Sequence, residues 1–212
     1  IRYRRLAALE LQSAQAKKGT VMSIIEIKVA LEYIEPTVTR TLQVPSDIRL
    51  DRLHLTLQAA MGWTNSHLYM FEAEGATWGL PDPDFGGDDL PANKTTLAEV
   101  LTDTGARSIR YIYDFGDSWE HKLQIGKVSD LMPGDLYPRL TDISGRCPPE
   151  DVGGFPGYEE FLGAMANPKH PEHANLKEWY GGPFDPSTPP ADELRLEVLK
   201  LAQRWKPKKT IS

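Results

Sequence analysis

Residues 107–128, RSIRYIYDFGDSWEHKLQIGKV, hold two runs of apolar–polar alternation around a short polar break. Ile109, Tyr111 and Tyr113 alternate on the way out, and Trp119, His121, Leu123 and Ile125 alternate on the way back. A period of two describes a pleated ribbon with one apolar face that has to be covered. Phe115 to Ser118 supply the turn, with Gly116 able to take a positive φ. A hairpin of this length with an apolar side calls for further antiparallel strands and a layer packed over them.

The rest of the chain meets that demand. SIIEIKVALEYI (residues 23–34) sets Ile25, Ile27, Val29, Leu31 and Tyr33 on one face and Glu26, Lys28 and Glu32 on the other. EPTVTRTLQV follows after a Glu35-Pro36 break and completes a hairpin. PSDIRLDRLHLTLQAAMGW then changes to helical spacing through Leu50, Leu53, His54, Leu57, Ala60 and Met61. Ser46 or Asp47 is the expected cap, and Gly62 the stop. SHLYMFEAEGATWG reads as strand, turn and strand, and TTLAEVL as a short helix capped by Thr95 or Thr96. After Lys127 no strand period is visible, and GYEEFLGAMA, EHANLKEWYGG and PADELRLEVLKLAQRW read as helices. The fold class is therefore α+β, with a mainly antiparallel sheet of hairpins and a helical, loop-rich C-terminal part. Its hairpin–helix–strand start is β-grasp-like at the level of fold analogy. The expected organisation is an extension over residues 1–21, a single α+β domain over 22–191, and a C-terminal helix with a basic tail over 192–212. The extension is either a helix or sequence upstream of a natural start at Met22.

Charge narrows the partners. The net charge is -6, but residues 1–21 carry +4 and residues 192–212 carry +3, which leaves -13 in the body. An acidic body repels phosphate backbones, so nucleic acid is expected to bind only through the ends, if at all. The single cysteine, Cys147, forms no disulfide within the chain, and no apolar run reaches the roughly 18 residues that span a bilayer. A cytoplasmic protein with no membrane partner is the expectation.

Several stretches could carry chemistry. YDFGDSWEH holds Asp114, Asp117, Glu120 and His121. Alternation sends Glu120 to the face opposite Trp119 and His121, so these groups do not converge from strand geometry alone. Asp114 and Asp117 are suited to accepting backbone N–H bonds in the turn. GWTNSHLY leaves a helix and enters a strand, placing Trp63, Asn65 and His67 at an element end, where binding residues gather. The candidate binding residues are Trp63, Asn65, His67, Asp114, Asp117, Trp119 and His121. No catalytic residue, metal ligand or cofactor is assigned. His54 lies on the apolar stripe of its helix and reads as a core histidine. CPPEDVGG, with Cys147, Glu150 and Asp151, reads as a rigid loop docked on the sheet with a buried thiol, since no adjacent His would activate the sulfur. Asp82, Asp84, Asp88 and Asp89 form a solvated acidic loop without the closing Glu of a calcium hand.

Four stretches, LQAAMGWTNSHLYMF, YIYDFGDSWEHKL, CPPEDVGGFPGYEEFL and WYGGPFDP, resemble the plasmid pRi open-reading-frame-three-like family in content and order. The resemblance runs from about Ile24 to Pro186. It implies an α+β domain with a curved antiparallel sheet, encoded on plasmids, insertion elements or chromosomes, in a family of uncharacterised role. The resolvase-derived label of some members finds no serine recombinase signature here. The leading expectation is a binding or interaction module linked to plasmids or mobile elements, with a protein or small-molecule ligand. One alternative is a metal-dependent, hydrolase-like enzyme using His67, His121, Asp114 and Asp117. The other is an accessory DNA-binding protein acting through its basic ends.

Overall fold

The computed structural model describes residues 23–80 and 89–206. The expected extension at 1–21, the acidic loop through Asp88 and the basic tail after Lys206 lie outside the described residues. Eight strands form one sheet: β1 (Ser23–Leu31), β2 (Thr39–Pro45), β3 (Tyr69–Ala73), β4 (Ala76–Gly79), β5 (Leu90–Pro91), β6 (Ser108–Tyr113), β7 (Trp119–Asp130) and β8 (Arg139–Ser144). Their order across the sheet is β5-β4-β3-β6-β7-β1-β2-β8. Every pairing is antiparallel except β4 with β5. The helices are α1 (Leu50–Met61), α2 (Leu97–Thr104), α3 (Gly154–Ala166), α4 (His173–Tyr180) and α5 (Ala191–Trp205). No helix among the described residues is long and apolar enough to cross a membrane. The architecture is α+β, as the sequence patterning indicates.

The alternating residues build the core. Ile25, Ile27, Val29 and Leu31 of β1 are buried with Ile109, Tyr111 and Tyr113 of β6 and Trp119 and Leu123 of β7. Helix α1 contributes Leu50, Leu53, Leu57, Ala60 and Met61 to the same core, and α5 adds Leu194 and Val198. Helix α1 stops where expected, at Gly62 with φ 87°, whose N–H donates to the Gln58 carbonyl. Helix α2 carries a full capping box between Thr96 and Glu99. The chain opens hairpin, helix, strand, and β3 enters the sheet beyond β6 and β7 rather than beside β1.

Three local expectations are corrected. Ser46 and Asp47 do not cap α1: the helix begins after an extended Arg49 with no side-chain cap. Ile48 and Arg49 are instead tied to the start of α2, with Leu97 N–H donating to the Ile48 carbonyl at 2.8 Å and Arg49 bridged to Thr96. In the β6–β7 turn the positive φ falls on Asp114 (56°) and Ser118 (54°), not on Gly116. Strand β8 lies in the stretch without a visible period. It is an edge strand in which only Leu140 is fully buried, so its alternation carries almost no hydrophobic signal.

Patterning also gives no warning of Arg40. It sits at an inward position of β2 and is 0% exposed. Its Nε donates to the Ala60 carbonyl at 2.7 Å, in the last turn of α1, where carbonyls lack helical partners. Its Nη1 donates to the Thr39, Ser144 and Gly145 carbonyls at 2.7, 2.8 and 3.1 Å. One guanidinium thus fastens the end of α1 to β2, to the last residue of β8 and to the glycine after it.

Candidate functional site

Three loops from distant parts of the chain meet at one end of β3, β6 and β7. They are the α1–β3 loop (residues 62–68), the β6–β7 turn (114–118) and the loop that leads into α3 (147–153). The α1–β3 loop is positioned from beneath by a closed hydrogen-bond network. Asn65, at φ 61°, donates its backbone N–H to Gln58 Oε1 at 3.1 Å. Asn65 Oδ1 accepts from His54 Nε2. That bond leaves His54 Nδ1 to accept from the Tyr111 hydroxyl at 2.8 Å, while Gln58 Nε2 donates to the same hydroxyl at 3.0 Å. The His54 ring stacks on Tyr69 with centroids 3.6 Å apart. Burial pulls the His54 pKa down to about 4, so the ring is neutral at pH 7. It is the core histidine that its place on the helix indicates.

The 147–153 loop docks through polar contacts as well as packing. Trp63 Nε1 donates to the Pro148 carbonyl at 3.0 Å. Glu150 accepts from the Thr64 backbone N–H at 2.8 Å and from the Thr64 and Tyr113 hydroxyls. Burial pushes the Glu150 carboxyl up, but these donors outweigh it and hold its pKa below the usual value. Burial and then the Glu150 contact raise the Tyr113 phenol. Asp117 Oδ2 accepts from the Gly153 N–H at 3.2 Å. At Gly154 (φ 65°) a Cβ would sit 2.7 Å from the Asp117 carbonyl oxygen, so only glycine permits this approach. Cys147 is buried in the same loop, and burial pushes its thiol up to about 12. That agrees with an inert, docked thiol.

The outer rim of this junction brings together one imidazole and two carboxylates. His67 Nε2 is 2.8 Å from Asp151 Oδ1 and 3.6 Å from Asp114 Oδ2. Side-chain exposure is 30% for His67, 11% for Asp114 and 67% for Asp151. Asp114 uses its other oxygen, Oδ1, to accept from the Gly116 N–H at 2.9 Å and, more weakly, from the Asp117 N–H at 3.4 Å. The turn role read for Asp114 holds and leaves its Oδ2 turned to His67, whereas the Asp117 carboxylate accepts its backbone N–H from Gly153 in the neighbouring loop rather than within the turn.

The structure sorts the seven candidates. His67 and Asp114 meet, with Asn65 and Asp117 supporting the loops they sit on. Trp63, Trp119 and His121 are core residues. His121 is 0% exposed, with Nδ1 at 3.1 Å from the Trp119 carbonyl. Its ring packs edge-on to Trp63 at 5.4 Å, Trp63 stacks on Tyr113 at 5.0 Å, and Tyr113 packs edge-on to His67 at 5.9 Å. The two imidazoles thus stand at opposite ends of a ring stack. The set His67, His121, Asp114 and Asp117 is not assembled as one site. Period two had already sent His121 to the core face, where burial lowers its pKa to about 4. The residues missed at the rim are Asp151 and Glu150. Their only sequence signal was a stiff Pro-Pro acidic loop, and nothing local indicates that it reaches His67.

A family model described as plasmid pRiA4b ORF-3-like protein matches residues 23–193. The uncharacterized protein y4hQ of Sinorhizobium fredii (strain NBRC 101917 / NGR234) is 45% identical over 186 residues, covering 87% of this chain and 95% of that protein. The crystal structure of the protein of unknown function MM3350 from Methanosarcina mazei Go1 superposes with a TM-score of 0.75 at 30% identity. It covers 82% of this chain and 97% of that one.

Proposed function

The chain belongs to the plasmid pRiA4b ORF-3-like family, and on that footing we propose that it is a cytoplasmic binding module whose site is the three-loop rim around His67. The observation that carries this reading is the convergence of the family-like stretches. LQAAMGWTNSHLYMF supplies His67 and Thr64, YIYDFGDSWEHKL supplies Tyr113 and Asp114, and CPPEDVGGFPGYEEFL supplies Glu150 and Asp151. WYGGPFDP packs behind the third of these, with Phe184 edge-on to Tyr158 and Phe161. Most of the polar side chains at this junction are paired for structure. The half-buried His67, the buried Asp114 and the exposed Asp151 face one another at its mouth, an arrangement that attracts positively charged or hydrogen-bond-donating ligands.

An amide-resolved NMR screen of the full chain against divalent cations, metabolites and short peptides tests the reading. Shifts centred on residues 64–67, 114–117 and 150–153 are expected. Ligands that shift only another face would overturn it.

A further inference from the structure

Resting on the rim reading, we infer that His67 Nε2, Asp114 Oδ2 and Asp151 Oδ1 are the protein ligands of a divalent transition-metal ion. One ligand atom from each of these three residues lies within 4.8 Å of the other two. Ligands about 2.1 Å from a metal sit about 3 to 3.5 Å apart at octahedral or tetrahedral angles. The observed 2.8 Å and 3.6 Å separations from His67 bracket that range, so small side-chain adjustments close the triangle around an ion.

The donor set has the right chemistry. One neutral imidazole and two carboxylates leave two negative charges to be met by the cation. A nitrogen donor among oxygens favours Mn²⁺, Fe²⁺, Co²⁺ or Zn²⁺ over Ca²⁺, which prefers six to eight oxygens. Two of the ligands are already aimed. The Gly116 and Asp117 amides hold Asp114 through Oδ1, the outer-shell support that metal-binding carboxylates commonly have. The Tyr113 ring packs edge-on against the His67 imidazole. Asp151, the most exposed of the three, sits at φ 60° on a loop anchored on either side by Glu150 and Gly153. Three protein ligands leave the remaining coordination positions open to water or to an oxygen-bearing ligand.

Calorimetric titration of the full chain with Mn²⁺, Zn²⁺, Mg²⁺ and Ca²⁺, joined to Co²⁺ absorption spectra, is the test. One saturable site is expected for the transition metals, with Co²⁺ bands that report nitrogen and oxygen ligation. His67→Gln, Asp114→Asn and Asp151→Asn are each expected to weaken binding about tenfold or more. Asp142→Asn, on the distant β8 edge, is expected to leave it unchanged. Asp151→Asn alters an exposed loop side chain, so its effect is not a folding defect, and unfolding midpoints verify this for all four variants. Absence of a saturable site at millimolar metal, or binding that survives both His67→Gln and Asp151→Asn, overturns the cation inference. If metabolites or peptides still shift the rim amides in that case, the rim reading stands alone. If nothing does, both fall.

Discussion

His54 and His121 are both buried and neutral, and this makes stability fall steeply with acid. Burial sets each folded pKa at about 4 against an ordinary 6.5. Between these values the unfolded chain binds more protons than the native protein, so stability rises with pH there and is lost as pH falls through the window. Each histidine withdraws about 2 kcal/mol on going from pH 7 to pH 5, and approaches ~3 kcal/mol at the lower edge. Together they remove ~4 kcal/mol by pH 5, a large fraction of the roughly 5–15 kcal/mol that holds a domain folded. Carboxylates with ordinary pKa values titrate mostly below that pH, so the two imidazoles dominate the upper part of the curve. Guanidinium midpoints at half-unit steps from pH 7.5 to 5 should drop steadily, with a slope near 2 kcal/mol per pH unit around pH 5. His54→Gln and His121→Gln should each lower stability at pH 7 and each remove about half of the slope. Imidazole carbon shifts should show both rings neutral at pH 5.5. A flat midpoint from pH 7 to 5, or rings that titrate near 6.5, would refute the reasoning.

Three further outcomes follow from contacts already described. Arg40→Met should cost ~3 kcal/mol in guanidinium unfolding, because the Ala60, Ser144 and Gly145 carbonyls lose their shared donor. Arg40→Lys should recover only part of that loss, since an ammonium cannot fan out to the same carbonyls. Gly154→Ala should cost ~2 kcal/mol or more, through the clash with the Asp117 carbonyl and the left-handed φ. Hydrogen exchange should show the added opening concentrated in residues 147–157. Cys147 should resist Ellman's reagent at pH 8 until denaturant unfolds the chain, and rapid labelling of the native protein would contradict its buried, protonated state.

The strands that have one face in the core were legible, because burial imposes a period of two on β1, β6 and the start of β7. Helix α1 was legible from its spacing and from Gly62. Strand β8 was not, because an edge position asks little of its side chains. Arg40 was invisible for a different reason: an arginine among Thr and Val in a strand looks like an outward residue, and only the tertiary arrangement supplies four carbonyls around it. The site was half legible. His67 and Asp114 could be picked out as groups at element ends. Asp151 could not be joined to them, because no local rule links residue 151 to residue 67. His121 was drawn in by its neighbours in the sequence, although the alternation that makes the hairpin recognisable also places that ring in the interior.

The strand order sets a timetable for the nascent chain. Ile27 faces Ile125, and Arg40 faces Ile143, so both sides of the first hairpin are paired by strands that a ribosome delivers far later. At ordinary elongation rates the first hairpin waits on the order of ten seconds for its mate. Throughout that interval helix α1 can cover its apolar face, but both of its outer strand edges stay without their native partners. Folding in vivo should therefore lean on holdase chaperones more than the size of the protein suggests, and refolding from denaturant should be slow, as expected when distant segments have to find each other first.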